Sequence, residues 1–154
     1  MADDLICWDA SALISLIKGY PKRESVLKSV VGLVDGGKYK LVFSTLIYTE
    51  VLESSMPEGA TNKFKEFMNN RGRFNLFAVD INIAKEAQEI RDKTRIKTPD
   101  AIHIATAIVS GSKLFHTFDE KLLQLNGKEE VKNISITPCT VPGTSSSLPF
   151  DTSP

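Results

Sequence analysis

The chain has 154 residues, 42% hydrophobic and 25% charged, which suits one domain with a sizeable core. Nineteen Lys and Arg balance nineteen Asp and Glu. That balance speaks against a general polybasic nucleic-acid binder and confines any polyanion site to a local patch. No run reaches the about 18 apolar residues that a bilayer span needs. The opening Met-Ala-Asp-Asp is acidic where a secretory signal is basic. A cytoplasmic protein with no membrane association is expected.

In chain order, Leu5-Ile6-Cys7-Trp8 predicts a short buried strand, and Ala10 to Lys18 a helix stopped by Gly19. From Pro21 to Asp35, Val26, Val30, Leu33 and Val34 recur at helical spacing, and Gly36-Gly37 ends the pattern. Leu41-Val42-Phe43 predicts a second strand. Ser44-Thr45 reads as the cap of a helix from Leu46 to about Ser54. Gly59 to Arg71 is helical, with Phe64, Phe67 and Met68 on a face that reads as core or dimer surface. Phe74 to Val79 predicts a strand, and Asp80 caps a helix through Lys93. Thr98 is a fitting N-cap with Pro99 at the first helical position, and this helix runs to Ser110 and Gly111. Lys113 to His116 predicts a strand and Glu120 to Leu125 a short helix, and Val131 to Thr137 holds the last strand. Strands alternating with helices imply an α/β fold, a mostly parallel sheet with helices on both faces. From Pro138 to Pro154 the chain holds four Pro, four Ser, three Thr and no Lys or Arg, which predicts a domain over 1–137 and an extended tail over 138–154. Cys7 and Cys139 form no metal or redox spacing, and Cys7 reads as core filler.

Four acids stand in apolar surroundings. Asp9 follows the first strand, at the carboxyl end where open α/β sheets place ligands, and the same spacing equally suits a helix N-cap. Glu50 lies within Leu46-Ile47-Tyr48-Thr49-Glu50-Val51-Leu52, sharing or bordering an apolar helical face. A buried carboxylate there needs a partner, whereas one at the helix edge reaches water. Glu53, one turn on, reads as exposed. Asp100 occupies the first turn of the helix opened by Thr98-Pro99, where the helix dipole favours it. The almost wholly apolar Ala101 to Ile108 makes that helix buried. Asp119, in Thr117-Phe118-Asp119, again follows a strand and suits an N-cap. Converging carboxylates repel one another, and oxygen-ligating cations such as Mg²⁺ or Mn²⁺ relieve that repulsion. Such a site suits phosphodiester cleavage by activated water.

The chain resembles the PIN domain family, most closely its small single-domain VapC-like toxins. The resemblance rests on Leu5-Ile-Cys-Trp-Asp9-Ala-Ser11-Ala-Leu13, Ser44-Thr-Leu-Ile-Tyr-Thr-Glu50-Val-Leu52, Thr98-Pro-Asp100-Ala-Ile-His-Ile-Ala-Thr-Ala107 and His116-Thr-Phe-Asp119-Glu-Lys-Leu122. It spans roughly residues 4–137, with the four pieces in the family's order and spacing. It implies a three-layer α/β/α fold and a Mg²⁺- or Mn²⁺-dependent endoribonuclease whose acidic quartet is Asp9, Glu50, Asp100 and Asp119. It also implies supporting roles for Ser11 and Thr117, a homodimer, and an antitoxin protein as partner. The neutral charge and the Pro/Ser tail depart from many members of the family.

Arg91, Lys93, Arg95 and Lys97 cluster before Asp100 and suit either RNA phosphates or a solvated helix end. Lys18, Lys22 and Arg23 are further cations for the same path. His103 follows Asp100 by one turn, but Mg²⁺ prefers oxygen, so a core or interface histidine is expected. His116 ends a strand. Two rival readings stand beside the nuclease. One is a catalytically weak PIN module that binds RNA or protein, to which the intact quartet is opposed. The other is a phosphoacceptor at Asp9, which lacks the expected second Asp because that position is Ser11.

Overall fold

The computed structural model describes residues 4–52 and 56–143. Five strands form one sheet: β1 (Asp4–Trp8), β2 (Tyr39–Ser44), β3 (Phe74–Phe77), β4 (Leu114–His116) and β5 (Ser135–Thr137). Their order is β3-β2-β1-β4-β5, and every pairing is parallel. Seven helices connect them: α1 (Ala10–Lys18), α2 (Pro21–Asp35), α3 (Ile47–Val51), α4 (Glu58–Asn69), α5 (Ile81–Thr94), α6 (Thr98–Ser110) and α7 (Glu120–Leu123). No helix among the described residues is long and apolar enough to cross a membrane.

Strand alternation explains the three layers, because successive side chains leave opposite faces of a strand. Ile6 and Trp8 of β1 join Leu41, Phe43 and Phe74 beneath α1 to α4. Cys7, Val42, Phe115 and Ile136 face the other way, against α5, α6 and α7. Phe43 anchors the first layer, its ring edge-on to Trp8, Phe67 and Phe74 at 6.2, 6.1 and 5.6 Å between centroids. Truncating such a buried ring to Ala costs about 3–5 kcal/mol. Phe64, Phe67 and Met68 are all buried in this layer, so their helical spacing reports core. Cys139 packs there too, so the core reaches past the last strand.

The local signals at several helix ends behave as their chemistry dictates. Gly19 and Gly111 end α1 and α6 with φ of 67° and 80°, a left-handed backbone that glycine adopts without steric cost. Asp80 caps α5, its Oδ1 accepting the Ile83 amide at 2.9 Å.

Two expectations need correction. The helix expected from Leu46 to Ser54 is described as α3 over Ile47–Val51. Ser44 is no N-cap, because Leu46 already has helical backbone. The Ser44 hydroxyl still accepts the Leu46 amide at 3.1 Å, which is the signal that made it look like a cap. Glu53 and Ser54 lie outside the described residues. Thr98 is the first residue of α6 rather than its cap. Lys97 stands before it, in extended backbone, without a capping side chain. The last strand lies within Val131 to Thr137 as expected, over Ser135–Thr137. A 3₁₀ turn over Glu129–Val131 and a positive φ of 55° at Lys132 break the extension. Val131 and Ile134 are nonetheless buried, so their apolar pattern reflects a packed turn.

Candidate active site at the carboxyl edge of the sheet

Strand order reverses its progress at β1. The chain moves outward through β2 to β3, then crosses to β4 on the other flank. A crevice at the carboxyl ends of β1 and β4 is the place where such sheets hold ligands. The register places Trp8 beside His116, so Asp9 and Thr117 leave the two strands as neighbours.

Asp9 is 3% exposed and fully engaged. Its Oδ1 accepts from the Ser11 hydroxyl at 2.7 Å and the Ala12 amide at 3.2 Å, and its Oδ2 accepts from the Thr117 hydroxyl at 2.5 Å. Asp9 therefore caps α1 while standing at the carboxyl edge of the sheet. Burial still pushes its carboxyl above the usual range, against the pull of Thr117, Ser11, His103 and the Ala12 amide. The two hydroxyls also organise the loop after β4. Ser11 Oγ accepts the Phe118 amide at 3.2 Å, and Thr117 Oγ1 accepts the Asp119 amide at 3.0 Å. Asp119 in turn caps α7 by accepting the Lys121 amide at 2.9 Å.

Asp100, in the first turn of α6, carries the clearest electrostatic signature. Burial pushes its carboxyl up to about 6, and the charges of Asp119, Asp9 and Glu50 push the same way, with His103 opposing. Each of the other three acids thus lies close enough to load Asp100 with negative potential. Glu50, on α3, hydrogen-bonds through Oε1 to His103 Nε2. His103 is 1% exposed, and its Nδ1 is the one buried side-chain nitrogen or oxygen without a partner among the described residues. The expected buried histidine is therefore also a neighbour of the acids. Its position three residues after Asp100, on the same helical face, was the available signal.

The donor set is carboxylate oxygen, which fits Mg²⁺ or Mn²⁺, and the charge crowding at Asp100 is of the kind a divalent cation relieves. The four acids do not stand as a finished cage. Among the described residues, no three His, Cys, Asp or Glu side chains are grouped so as to hold a metal ion as they are. Asp9 is occupied by hydroxyls and Glu50 by His103.

The basic cluster divides. Arg91, Arg95 and Lys97 line an open cavity of about 830 Å³ at the α5–α6 junction. Arg95 and Lys97 also border a cleft of about 580 Å³ that contains Asp100 and Asp119. Lys93 stands apart, in a separate hollow with Glu86, Glu89, Glu129 and Glu130. Lys121 and Lys128, which sequence reading passed over, line the acidic cleft from the α7 side. His116 takes a structural place, its Nδ1 accepting from Trp8 Nε1 at 3.3 Å. Burial pushes both thiols, Cys7 and Cys139, well above their ordinary range, so neither is a poised nucleophile.

The PIN domain family model matches residues 6–128. The chain belongs to the PIN domain family. Solved structures with the same fold include VapBC2 from Rickettsia felis bound to a promoter DNA fragment. It is 13% identical with a TM-score of 0.63, over 87% of this chain and 98% of that one. DNA-bound VapBC from Salmonella typhimurium is 17% identical with a TM-score of 0.63, over 89% and 98% of the two chains. Mycobacterium tuberculosis VapC20, a toxin that cleaves the Sarcin-Ricin loop, is 16% identical with a TM-score of 0.56, over 74% and 89%. No curated protein sequence matches the chain. In this PIN domain the four family pieces meet at one edge of the sheet: Asp9 after β1, Glu50 beyond β2, Asp119 after β4, and Asp100 at the start of α6.

Proposed function

We propose that this PIN domain is a divalent-metal-dependent endoribonuclease of the toxin type, acting in the cytoplasm and restrained by an antitoxin protein. The observation that carries the reading is the loading of Asp100, whose carboxyl is raised to about 6 by burial and by three neighbouring acids. An edge so crowded with carboxylates is unfavourable for an apo fold and suited to Mg²⁺ or Mn²⁺. The VapBC neighbours support an antitoxin partner, and VapC20 supports an RNA substrate. Like others of its family, the chain is expected to act as a homodimer.

In this reading Asp9, Glu50, Asp100 and Asp119 hold the cation. When bound, the cation supplies activation of water and neutralisation of phosphate charge. Ser11 and Thr117 hold the Asp9 carboxylate in one orientation through their hydroxyls. The raised Asp100 carboxyl releases its proton near neutrality and then presents a full charge to the cleft. Arg91, Arg95 and Lys97 bind the RNA backbone beside the acids. Lys93 completes the cluster in sequence, and its separate hollow gives it a smaller share.

The absence of a closed ligand group among the described residues favours one other reading, a catalytically weak module that binds RNA or protein. Cleavage of RNA by the purified chain with Mn²⁺, with EDTA, and with Asp100→Asn separates them. Metal-dependent cleavage lost in the variant supports the nuclease. Binding without cleavage under any metal supports the module.

A further inference from the structure

Arg23, near the start of α2, does not project freely into solvent. Its guanidinium carbon lies 4.3 Å from the centre of the Phe118 ring and 5.7 Å from that of Tyr20. Its Nη1 donates to Ser15 Oγ at 3.1 Å, and Ser15 is buried in α1. The Ser15 hydroxyl donates to the Ser11 carbonyl at 2.8 Å. Ser11 is the residue whose side chain joins Asp9 to the Phe118 amide. One planar cation thus braces both sides of the crevice, the α1 turn that carries Ser11 and the loop that carries Thr117 and Asp119. Phe118 sits between those two site residues, so its ring position fixes the backbone on either side of it.

We propose that Arg23 is a positioning residue, a stacked clamp that holds the Thr117-Phe118-Asp119 loop against α1 and so sets Asp119 and the Thr117 hydroxyl relative to Asp9. The clamp requires a flat guanidinium. Only that group stacks on a ring face while directing an N–H in its own plane at Ser15, and a lysine ammonium is a point charge that does neither well. This reassigns a cation that otherwise counts toward the RNA path. It rests on the reading of Asp9 and Asp119 as metal-binding acids, but the clamp itself can be observed without metal or RNA.

The test uses the full chain with Arg23→Ala and Arg23→Lys. Amide hydrogen exchange without metal is read at Phe118 and Asp119, with β1 and β2 amides as the internal reference. Both variants should exchange about tenfold faster at Phe118 and Asp119, with the reference amides unchanged. Calorimetric titration with Mn²⁺ should show affinity weakened about tenfold in both. With RNA, kcat should fall and KM should stay within about twofold. Loop protection unchanged in both variants overturns the proposal, as does full rescue by Arg23→Lys with KM alone raised in Arg23→Ala, the pattern of a phosphate contact. If the parent binds no Mn²⁺ and cleaves no RNA, the nuclease reading fails, while loop exchange still decides the clamp.

Discussion

The Thr117 hydroxyl donates to Asp9 Oδ2 at 2.5 Å, across two strands whose residues lie 108 apart in the chain. This bond holds a buried carboxylate that burial alone would push toward its protonated form. Thr117→Val keeps the shape and removes the donor. Unfolding in urea should show a loss of about 1.5–3 kcal/mol, the range for a hydrogen bond to a charged buried group. A loss below about 0.5 kcal/mol would mean that Asp9 does not depend on it.

Asp100→Asn separates the cost of charge crowding from its use. Removing one of the mutually repelling carboxylates should raise the apo stability by about 1 kcal/mol near neutral pH, because each unit of upward shift corresponds to about 1.4 kcal/mol and solvent screens much of that at a half-exposed carboxyl. The same change should abolish the rise in melting temperature that saturating Mn²⁺ gives the parent. Differential scanning fluorimetry with and without Mn²⁺ reads both effects. A variant less stable than the parent, or one still stabilised by Mn²⁺, would remove Asp100 from the site.

His116 makes an acid limb in the stability curve. Burial lowers its pKa to about 4, and protonation at Nδ1 would break the bond from Trp8. The unfolded chain takes up the proton near pH 6.5. A depressed folded pKa therefore contributes stability that is present above about 6.5 and lost as pH falls toward about 4, amounting to about 3 kcal/mol. Asp100 acts oppositely in part of that window. Its folded pKa is raised, so its contribution weakens as pH rises from about 4 to about 6. The clean comparison is thus between the parent and His116→Gln. The variant should be less stable at pH 8, and the difference should shrink as pH falls toward 4. Parallel stability curves for the two proteins would count against this account.

The divided basic cluster predicts unequal cations. Arg91→Ala with Arg95→Ala should weaken RNA binding and flatten its log–log salt dependence by about 0.7 per lost contact on a single strand. Lys93→Ala, whose side chain lines a separate hollow with four glutamates, should change the slope less. Titration of a labelled RNA at several salt concentrations distinguishes them. Equal effects from both changes would place the RNA path across the outer face of α5.

Much of the fold was legible because the strongest local signals agree with the tertiary outcome. Pro21 and the Gly36-Gly37 pair bound α2, and Gly19 and Gly111 end their helices where left-handed backbone is needed. Where the last strand starts within Val131 to Thr137 was not legible, because Val131 and Ile134 are buried by a turn and an apolar pattern alone does not reveal extended backbone. At the site, the acids were visible as charges in apolar runs. The pairing of Glu50 with His103 was not, because it joins α3 to α6 and no local pattern encodes it. The same holds for Arg23. Its neighbours Tyr20 and Ser15 are near in sequence, but Phe118, which gives the contact its meaning, is not.

The central place of β1 between β2 and β4 has a consequence for synthesis. The first strand of this sheet to be made is completed on one flank early, by β2, and waits on the other for β4. Until Thr117 and Asp119 have been made, Asp9 lacks its hydroxyl partner and the crevice has only one wall. A chain that stops short of β4 therefore carries most of the helices and three of the five strands, and lacks Asp119. Assembly of the edge is postponed until β4 and the loop after it have been made. Such late closure of non-local contacts is the slow step expected of a parallel sheet.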